Sequence, residues 1–293
     1  MDTPTWQTTS TQTKNPSIRQ PWMLPGTQHG WVIAPDDRVA TLAALTEEYE
    51  PIYLEQMDEV ALLNRMDTKF VMSTGQLVDA LAALQQDYWM LSVQGQRLNH
   101  YRTLYFDTPT FELYLMHVNG RANRYKVRSR EYTDTQLSFL EVKHRTPKDR
   151  TIKERMATAR PVTWLTAEAE AWLQEVYPYD SQALEPKLWN SFTRLTLVSK
   201  ALCERVTLDI DLDFYTADRK GKLDKIAIAE VKMERGNCHS PFMQQMQAMK
   251  IHPRGFSKYC IGVGLLYDSV KKNALKPKLL WLDKMARGVA SYE

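Results

Sequence analysis

Cysteine is scarce. Only Cys203, Cys238 and Cys260 occur in 293 residues, and no two stand in a C-x-x-C or zinc-like spacing. This excludes a disulfide framework or a zinc finger, and reduced thiols in a cytosolic protein are expected. No apolar run approaches the ~18 residues that span a bilayer, and mean hydropathy is −0.46. The opening MDTPTWQTTSTQTKNPSIRQ has no apolar core, which argues against a secretory leader and for a cytoplasmic location. The six histidines show no HExxH or paired-ligand spacing. Charge of a single sign is missing too. Lys plus Arg number 38 against 35 Asp plus Glu, so the uniformly basic surface of a general nucleic-acid binder is excluded. Hydrophobic residues at 43% and charged residues at 25% exclude wholesale disorder.

Residues 1–40 are rich in Thr, Gln, Pro and Gly without periodicity and read as a flexible N-terminal arm. No repeat or linker divides the remainder, so 41–293 is expected to form a single domain with a helical C-terminal tail. Alternation predicts strands over 65–72, 100–107, 124–132, 138–145, 150–156, 192–199, 204–214, 226–234 and 258–266. Helices are expected from the Ser73/Thr74 cap to about Gln86, over 166–176 and 186–191, and from Ser240-Pro241 to about Ile251. Strands dominate without βαβ alternation. The fold class is therefore α+β, with a mostly antiparallel sheet or β-barrel and helices packed outside.

Residues two apart on a strand share a face, and the faces here are unusually basic. Arg124, Lys126, Arg128 and Arg130 share one, Glu141, Lys143 and Arg145 the next, and Lys153 and Arg155 a third. Arg205, Asp209, Asp211 and Asp213 share a parity, as do Glu230, Lys232 and Glu234. One such strand reads as an ordinary solvated face. Repeated across many strands, the choice of Arg and Lys points to an enclosed passage that would repel itself unless a polyanion filled it. Condensed phosphate offers oxygens along an extended path, and the scattered carboxylates could hold a hard divalent ion against it.

Ordered short motifs carry a resemblance. Tyr105-Phe106-Asp107-Thr108-Pro109, Lys126-Val127-Arg128-Ser129-Arg130-Glu131-Tyr132 and Phe139-Leu140-Glu141-Val142-Lys143 follow one another. Thr151-Ile152-Lys153-Glu154-Arg155, Arg205-Val206-Thr207-Leu208-Asp209, Ala229-Glu230-Val231-Lys232 and Phe256-Ser257-Lys258-Tyr259 continue the series. Together, over roughly 50–267, they resemble the catalytic domain of the vacuolar transporter chaperone (VTC) polyphosphate polymerases, in the triphosphate tunnel metalloenzyme superfamily. The resemblance implies an antiparallel tunnel barrel whose basic residues hold ATP or polyphosphate. It implies catalytic phosphate clamping by Arg128, Arg130, Lys143, Arg194 and Arg205, and substrate guidance by Lys69, Lys153, Lys232 and Lys258. Glu230 is the implied ligand of Mn²⁺ or Mg²⁺. Eukaryotic members add a sensor domain and spanning helices that are not found in these 293 residues, so a separate membrane protein becomes a candidate partner. The superfamily's ExExK strand appears as Arg65-x-Asp67-x-Lys69, with one carboxylate.

The implied reaction moves the terminal phosphoryl group of ATP onto a growing polyphosphate chain. Its rivals are a triphosphatase with water as acceptor and a non-catalytic polyphosphate- or nucleotide-binding module. No aromatic platform is expected beside the basic positions, so nucleic acid is not an expected partner. Asp209, Asp211 and Asp213 are expected to make salt bridges. Met243, Met246, Met249, Trp164 and Trp172 are expected to pack, and the Lys271, Lys272, Lys276 and Lys278 run to be solvated.

Overall fold

The computed structural model describes residues 37–60, 65–148, 150–234 and 239–288. Cys238 and residues 1–36 of the expected arm lie outside them. The alternating segments form strands β1 (Pro51–Ile52), β2 (Arg65–Ser73), β3 (Tyr88–Leu91), β4 (Asn99–Asp107), β5 (Arg124–Tyr132) and β6 (Leu137–Arg145). They continue as β7 (Thr151–Thr158), β8 (Glu185–Ser199), β9 (Glu204–Tyr215), β10 (Lys220–Leu223) and β11 (Ile226–Glu234). The helices are α1 (Asp37–Glu47), α2 (Thr74–Leu84), α3 (Glu112–Val118), α4 (Ala167–Val176), α5 (Pro241–Ala248), α6 (Lys258–Leu266) and α7 (Lys276–Ala286). None of the described helices is long and apolar enough to cross a membrane.

The main path of the sheet runs β2-β11-β9-β8-β4-β5-β6-β7, with every neighbour antiparallel. Among the described residues no ladder joins β2 to β7, so the sheet is barrel-like and open along one seam. It is nevertheless curled: at the start of α6, Ser257 accepts from Lys126 on β5 while the adjacent Lys258 pairs with Asp209 on β9.

Apolar parity decides what covers each wall. Phe70, Met72, Leu195, Leu197, Val206, Leu208, Ala229 and Val231 face outward against α1, α2 and α5, where Met246 is buried with Met243 and Met249 beside it. Leu104, Phe106, Val127, Leu140 and Val142 face outward against α4, with Trp172 at the margin. Ser73 caps α2 by accepting from the Gln76 N–H at 3.2 Å, while Gln76 Oε1 accepts from the Ser73 N–H at 2.9 Å. Ser240 caps α5 through the Met243 N–H at 3.3 Å, with Pro241 in the first turn.

The secondary structure and packing depart from sequence expectation in four places. First, residues 186–191 belong to β8, whose 15 residues absorb the short helix expected there. Second, residues 258–266 form a helix rather than a strand. A short apolar run does not disclose its period, and the local cap decides: Ser257 Oγ accepts from the Cys260 N–H at 3.3 Å. Tyr259, Cys260, Ile261, Val263 and Leu266 are buried on several sides, because α6 fills one end of the concave face instead of lying outside. Gly262 permits this approach. A Cβ there would stand 2.6 Å from Phe214 Cδ1 and 3.1 Å from Leu188 Cδ1.

Third, Asp211 does not share a face with Asp209. It adopts φ +53°, and the β8–β9 register slips between Ser191/Asp213 and Thr193/Ile210. That bulge turns Leu212 and Phe214 inward and takes Asp211 and Asp213 off the basic parity, and among the described residues they make none of the salt bridges expected of them. Fourth, Trp164 is 53% exposed and does not pack.

Candidate functional site

Register brings the basic residues onto one concave wall. Lys126 lies opposite Lys143, and Lys143 opposite Lys153. Arg128 faces Glu141 on one side and Tyr105 on the other, while Arg130 faces Thr103. Arg194 lies opposite Asp209, Lys232 opposite Arg205, and Glu230 opposite both Lys69 and Thr207. Lys258, expected at the start of a strand, instead opens α6 and reaches the same wall by pairing with Asp209.

Three carboxylates organise these cations. Glu141 is fully buried, and its Oε2 accepts from Arg128 Nε at 2.7 Å and pairs with Arg128 Nη2 at 2.6 Å. Its Oε1 meets Lys153 Nζ at 2.5 Å. Burial pushes the Glu141 carboxyl up, but Arg128, Arg130 and Lys153 outweigh it and bring the pKa to about 2. Asp209 holds Arg194 in a fork, Nε to Oδ1 at 2.6 Å and Nη2 to Oδ2 at 2.8 Å, and also pairs with Lys258. Burial again raises, and Arg194 with Lys258 more than reverses it, so Asp209 stays ionised. Glu230 is gripped by Lys69 through Oε1 and by Lys232 through Oε2 at 2.9 Å, and these ammoniums override burial.

Lys143 differs. Among the described residues it has no hydrogen-bond or ion-pair partner, and burial first, then Lys126, Arg128 and Lys69, lower it to about 7 against the pull of Glu230. Lys126 donates to Ser257 Oγ at 3.1 Å, and burial lowers it to about 8. Both lysines line a cleft of about 340 Å³ with Arg124, Arg145, Ser257 and Lys278. Lys278 is turned in to the Gly255 carbonyl at its rim, and Lys272 to the carbonyls of Gly264 and Tyr267. Those two members of the C-terminal basic run are therefore tied to the protein as well as wet.

Aromatic rings do stand beside the cations, against sequence expectation. Arg194 lies 5.0 Å from the Tyr101 ring centre, Arg130 lies 5.8 Å from it, and Lys258 lies 4.4 Å from Phe192. Tyr101 and Phe192 stack on each other at 5.1 Å. Their faces are taken up by guanidinium, ammonium and one another, so they steady the cations rather than offer a platform to bases.

All ten residues singled out from sequence thus stand on one wall. Sequence reasoning placed Lys126, Glu141 and Asp209 on the basic parity without assigning them to the site. Their strand period was the available signal. Ser257 stood in the Phe256-Ser257-Lys258-Tyr259 motif, but its place beside Lys126 depends on the helix that replaces the last strand.

The VTC domain family matches residues 64–267. The chain belongs to this family. The VTC domain therefore spans β2 through α6 and includes every residue of the concave wall described above. No curated protein matches the chain. Among solved structures it is similar to a candidate adenylyl cyclase from Hippeastrum whose dominant activity is a triphosphatase. That match has 13% identity and TM-score 0.42, covering 70% of this chain and 98% of that one. A candidate adenylate cyclase from Bacillus halodurans matches at 13% identity and TM-score 0.41, covering 66% and 94%. The Schizosaccharomyces pombe RNA triphosphatase Pct1, in complex with the Spt5 CTD, matches at 9% identity and TM-score 0.27, covering 88% and 95%.

Among the described residues no three His, Cys, Asp or Glu cluster to hold a metal ion. A hard divalent cation takes six or more oxygens. Glu230 offers two, both engaged by lysines, so a resident ion caged by protein alone does not fit. Glu230 could serve a divalent ion only where oxygens from outside the protein complete its shell.

Proposed function

We propose that the protein is a metal-dependent polyphosphate polymerase that transfers the terminal phosphoryl group of ATP to a growing polyphosphate end. One observation carries the reading. Among the described residues, nine basic side chains expected from sequence converge on one wall against the carboxylates Glu141, Asp209, Glu230 and Asp67, leaving a positive excess that a polyanion neutralises.

In this reading an oxygen of the acceptor's terminal phosphate attacks the γ-phosphorus in line as the bond to the departing ADP oxygen breaks. No protein nucleophile is needed, since the acceptor phosphate is itself the attacking group. Arg128, Arg130, Lys143, Arg194 and Arg205 clamp the equatorial oxygens. Lys69, Lys153, Lys232 and Lys258 steer the chain and the leaving phosphates. Before substrate arrives, Glu141, Asp209 and Glu230 keep these cations in place, which spares the wall part of its self-repulsion. With Lys69 and Lys232 turned to phosphate, Glu230 would be the residue to hold Mn²⁺ or Mg²⁺. When bound, that ion neutralises charge on the β- and γ-phosphates.

The test is incubation of the purified chain with ATP and Mn²⁺ or Mg²⁺, followed by gel sizing. A ladder of long chains that disappears in Glu230→Gln is expected. Free phosphate without polymer would make the protein a triphosphatase, and tight ATP binding without turnover would make it a binding module.

A further inference from the structure

Among the described residues, one cross-strand row of the concave wall holds three buried polar atoms without a hydrogen-bond partner. Thr103 on β4 lies opposite Arg130 on β5 and, on its other side, opposite Asn190 on β8. Thr103 and Asn190 are 0% exposed, and the Arg130 side chain is 10% exposed. The unpartnered atoms are Thr103 Oγ1, Asn190 Oδ1 and Arg130 Nε. Buried polar atoms rarely stay unsatisfied, and three in adjacent positions of one row point to a common ligand. Asn190 cannot resolve this by turning its amide over. Its Nδ2 donates to the Asp213 carbonyl at 2.9 Å and the Ser191 carbonyl at 3.2 Å, which fixes the orientation.

The chemistry of the row selects its occupant. Arg130 Nε only donates, Asn190 Oδ1 only accepts, and the Thr103 hydroxyl does either. A bare phosphate oxygen would satisfy Arg130 and Thr103 but set its charge against Asn190 Oδ1. A cation would suit Asn190 and Thr103 but face the Arg130 guanidinium. Water serves all three, accepting from Arg130, donating to Asn190 and pairing with Thr103 in either sense.

Among Arg128, Arg130 and Arg194, it is also Arg130 that has the weakest tether to a carboxylate. Arg128 and Arg194 each make two close contacts to a carboxylate, whereas Arg130 Nε stands 4.0 Å from Glu141 Oε2. We propose that Thr103, Asn190 and Arg130 bind one ordered water that holds Arg130 from behind and leaves its terminal nitrogens facing the anion path. Thr103 and Asn190 are then positioning residues for the phosphate clamp, and this part rests on the function proposed above.

Two measurements test it. In a crystal structure of the ligand-free protein, a density peak within ~3.2 Å of all three atoms is expected. Direct closure of these side chains on one another, with no peak, overturns the water site. The second measurement is titration with tripolyphosphate. Thr103→Val, which removes only the hydroxyl, should weaken binding about fivefold, and Thr103→Ser should stay within about twofold of wild type. In an Arg130→Ala background, Thr103→Val should add nothing. Unchanged affinity in Thr103→Val, or an equal loss with Arg130 already removed, overturns the positioning role. Wild type that fails to bind tripolyphosphate would count against the proposed function, while the crystal peak would still decide the water site.

Discussion

Glu141 and Arg128 face each other across β5 and β6, with Arg128 Nε 2.7 Å from Glu141 Oε2. Strand parity alone makes Arg128 one more repelling cation, so that its removal is expected to leave the fold intact or slightly more stable. This pairing reverses the expectation. Arg128→Ala leaves a fully buried carboxylate with Lys153 at 2.5 Å and Arg130 at 4.0 Å, so we expect modest destabilisation, about 1–2 kcal/mol, alongside loss of turnover. Glu141→Ala removes the counter-charge of three cations and should cost more, about 3 kcal/mol. Urea unfolding midpoints at constant m-value rank the two variants. An Arg128→Ala protein more stable than wild type would show that repulsion dominates.

Acid should act on the same node. The folded state holds Glu141 at about 2 against an ordinary 4.5, so its contribution is complete above pH 4.5 and fades as pH falls from there toward 2. Thermal melts of Glu141→Gln should lose less stability than wild type across that interval. Parallel losses would remove Glu141 from the account.

At neutral to basic pH, Lys143 sets the sign. Its pKa is about 7 in the folded protein against 10.5 ordinarily, so below pH 7 the folded state carries a disfavoured charge. Between pH 7 and 10.5 the unfolded chain binds the extra proton, and the ligand-free protein gains stability from this group as pH rises. A bound polyanion favours the ammonium and must draw its proton from solvent. Affinity for tripolyphosphate should therefore fall from pH 7 to pH 9, by at most about tenfold per pH unit for each such lysine. Lys143→Arg stays charged and should flatten part of the slope. Lys126 and Lys258, each at about 8, sustain the rest. Calorimetric titration at three pH values is the measurement, and a level wild-type profile would contradict it.

Much of this arrangement was legible in the sequence because strand parity is a two-residue code. Arg128, Glu141, Lys143 and Glu230 fall on one face whatever the sheet's exact closure. What escaped was set by single local events. The positive φ of Asp211 flips the parity of β9 beyond Asp209, which no alternation count registers. The hydroxyl of Ser257 starts a helix where Lys258–Leu266 reads equally well as a strand. Ion pairing was legible only in part: a salt bridge was expected of Asp209 and is made, whereas spacing shows that Arg128 and Glu141 share a face of the sheet but not that they touch.

Packing of α6 gives a further expectation. Gly262→Ala would set a methyl group 2.6 Å from the Phe214 ring, so it should destabilise by about 1–3 kcal/mol, whereas an ordinary helical position gains from Ala. A denaturation midpoint equal to or above wild type would mean that α6 sits less tightly on β8 and β9.

Asp107 anchors the same helix from the other side. Its carboxylate accepts from the N–H groups of Thr108, Leu113 and Tyr114, each at 2.8 Å, and from the Tyr259 hydroxyl. Asp107→Asn forfeits one acceptor oxygen and should cost about 2 kcal/mol. Hydrogen exchange in α6 should rise with it, and exchange confined to α3 would limit the anchor to that helix.

The open seam between β2 and β7 has a mechanical consequence. No backbone ladder crosses it among the described residues, so the trough can broaden or tighten by a change of twist without breaking a strand-to-strand bond. On the proposed function, a guest of high negative charge would draw Lys69, Lys143 and Lys153 toward itself and so set the width of the trough.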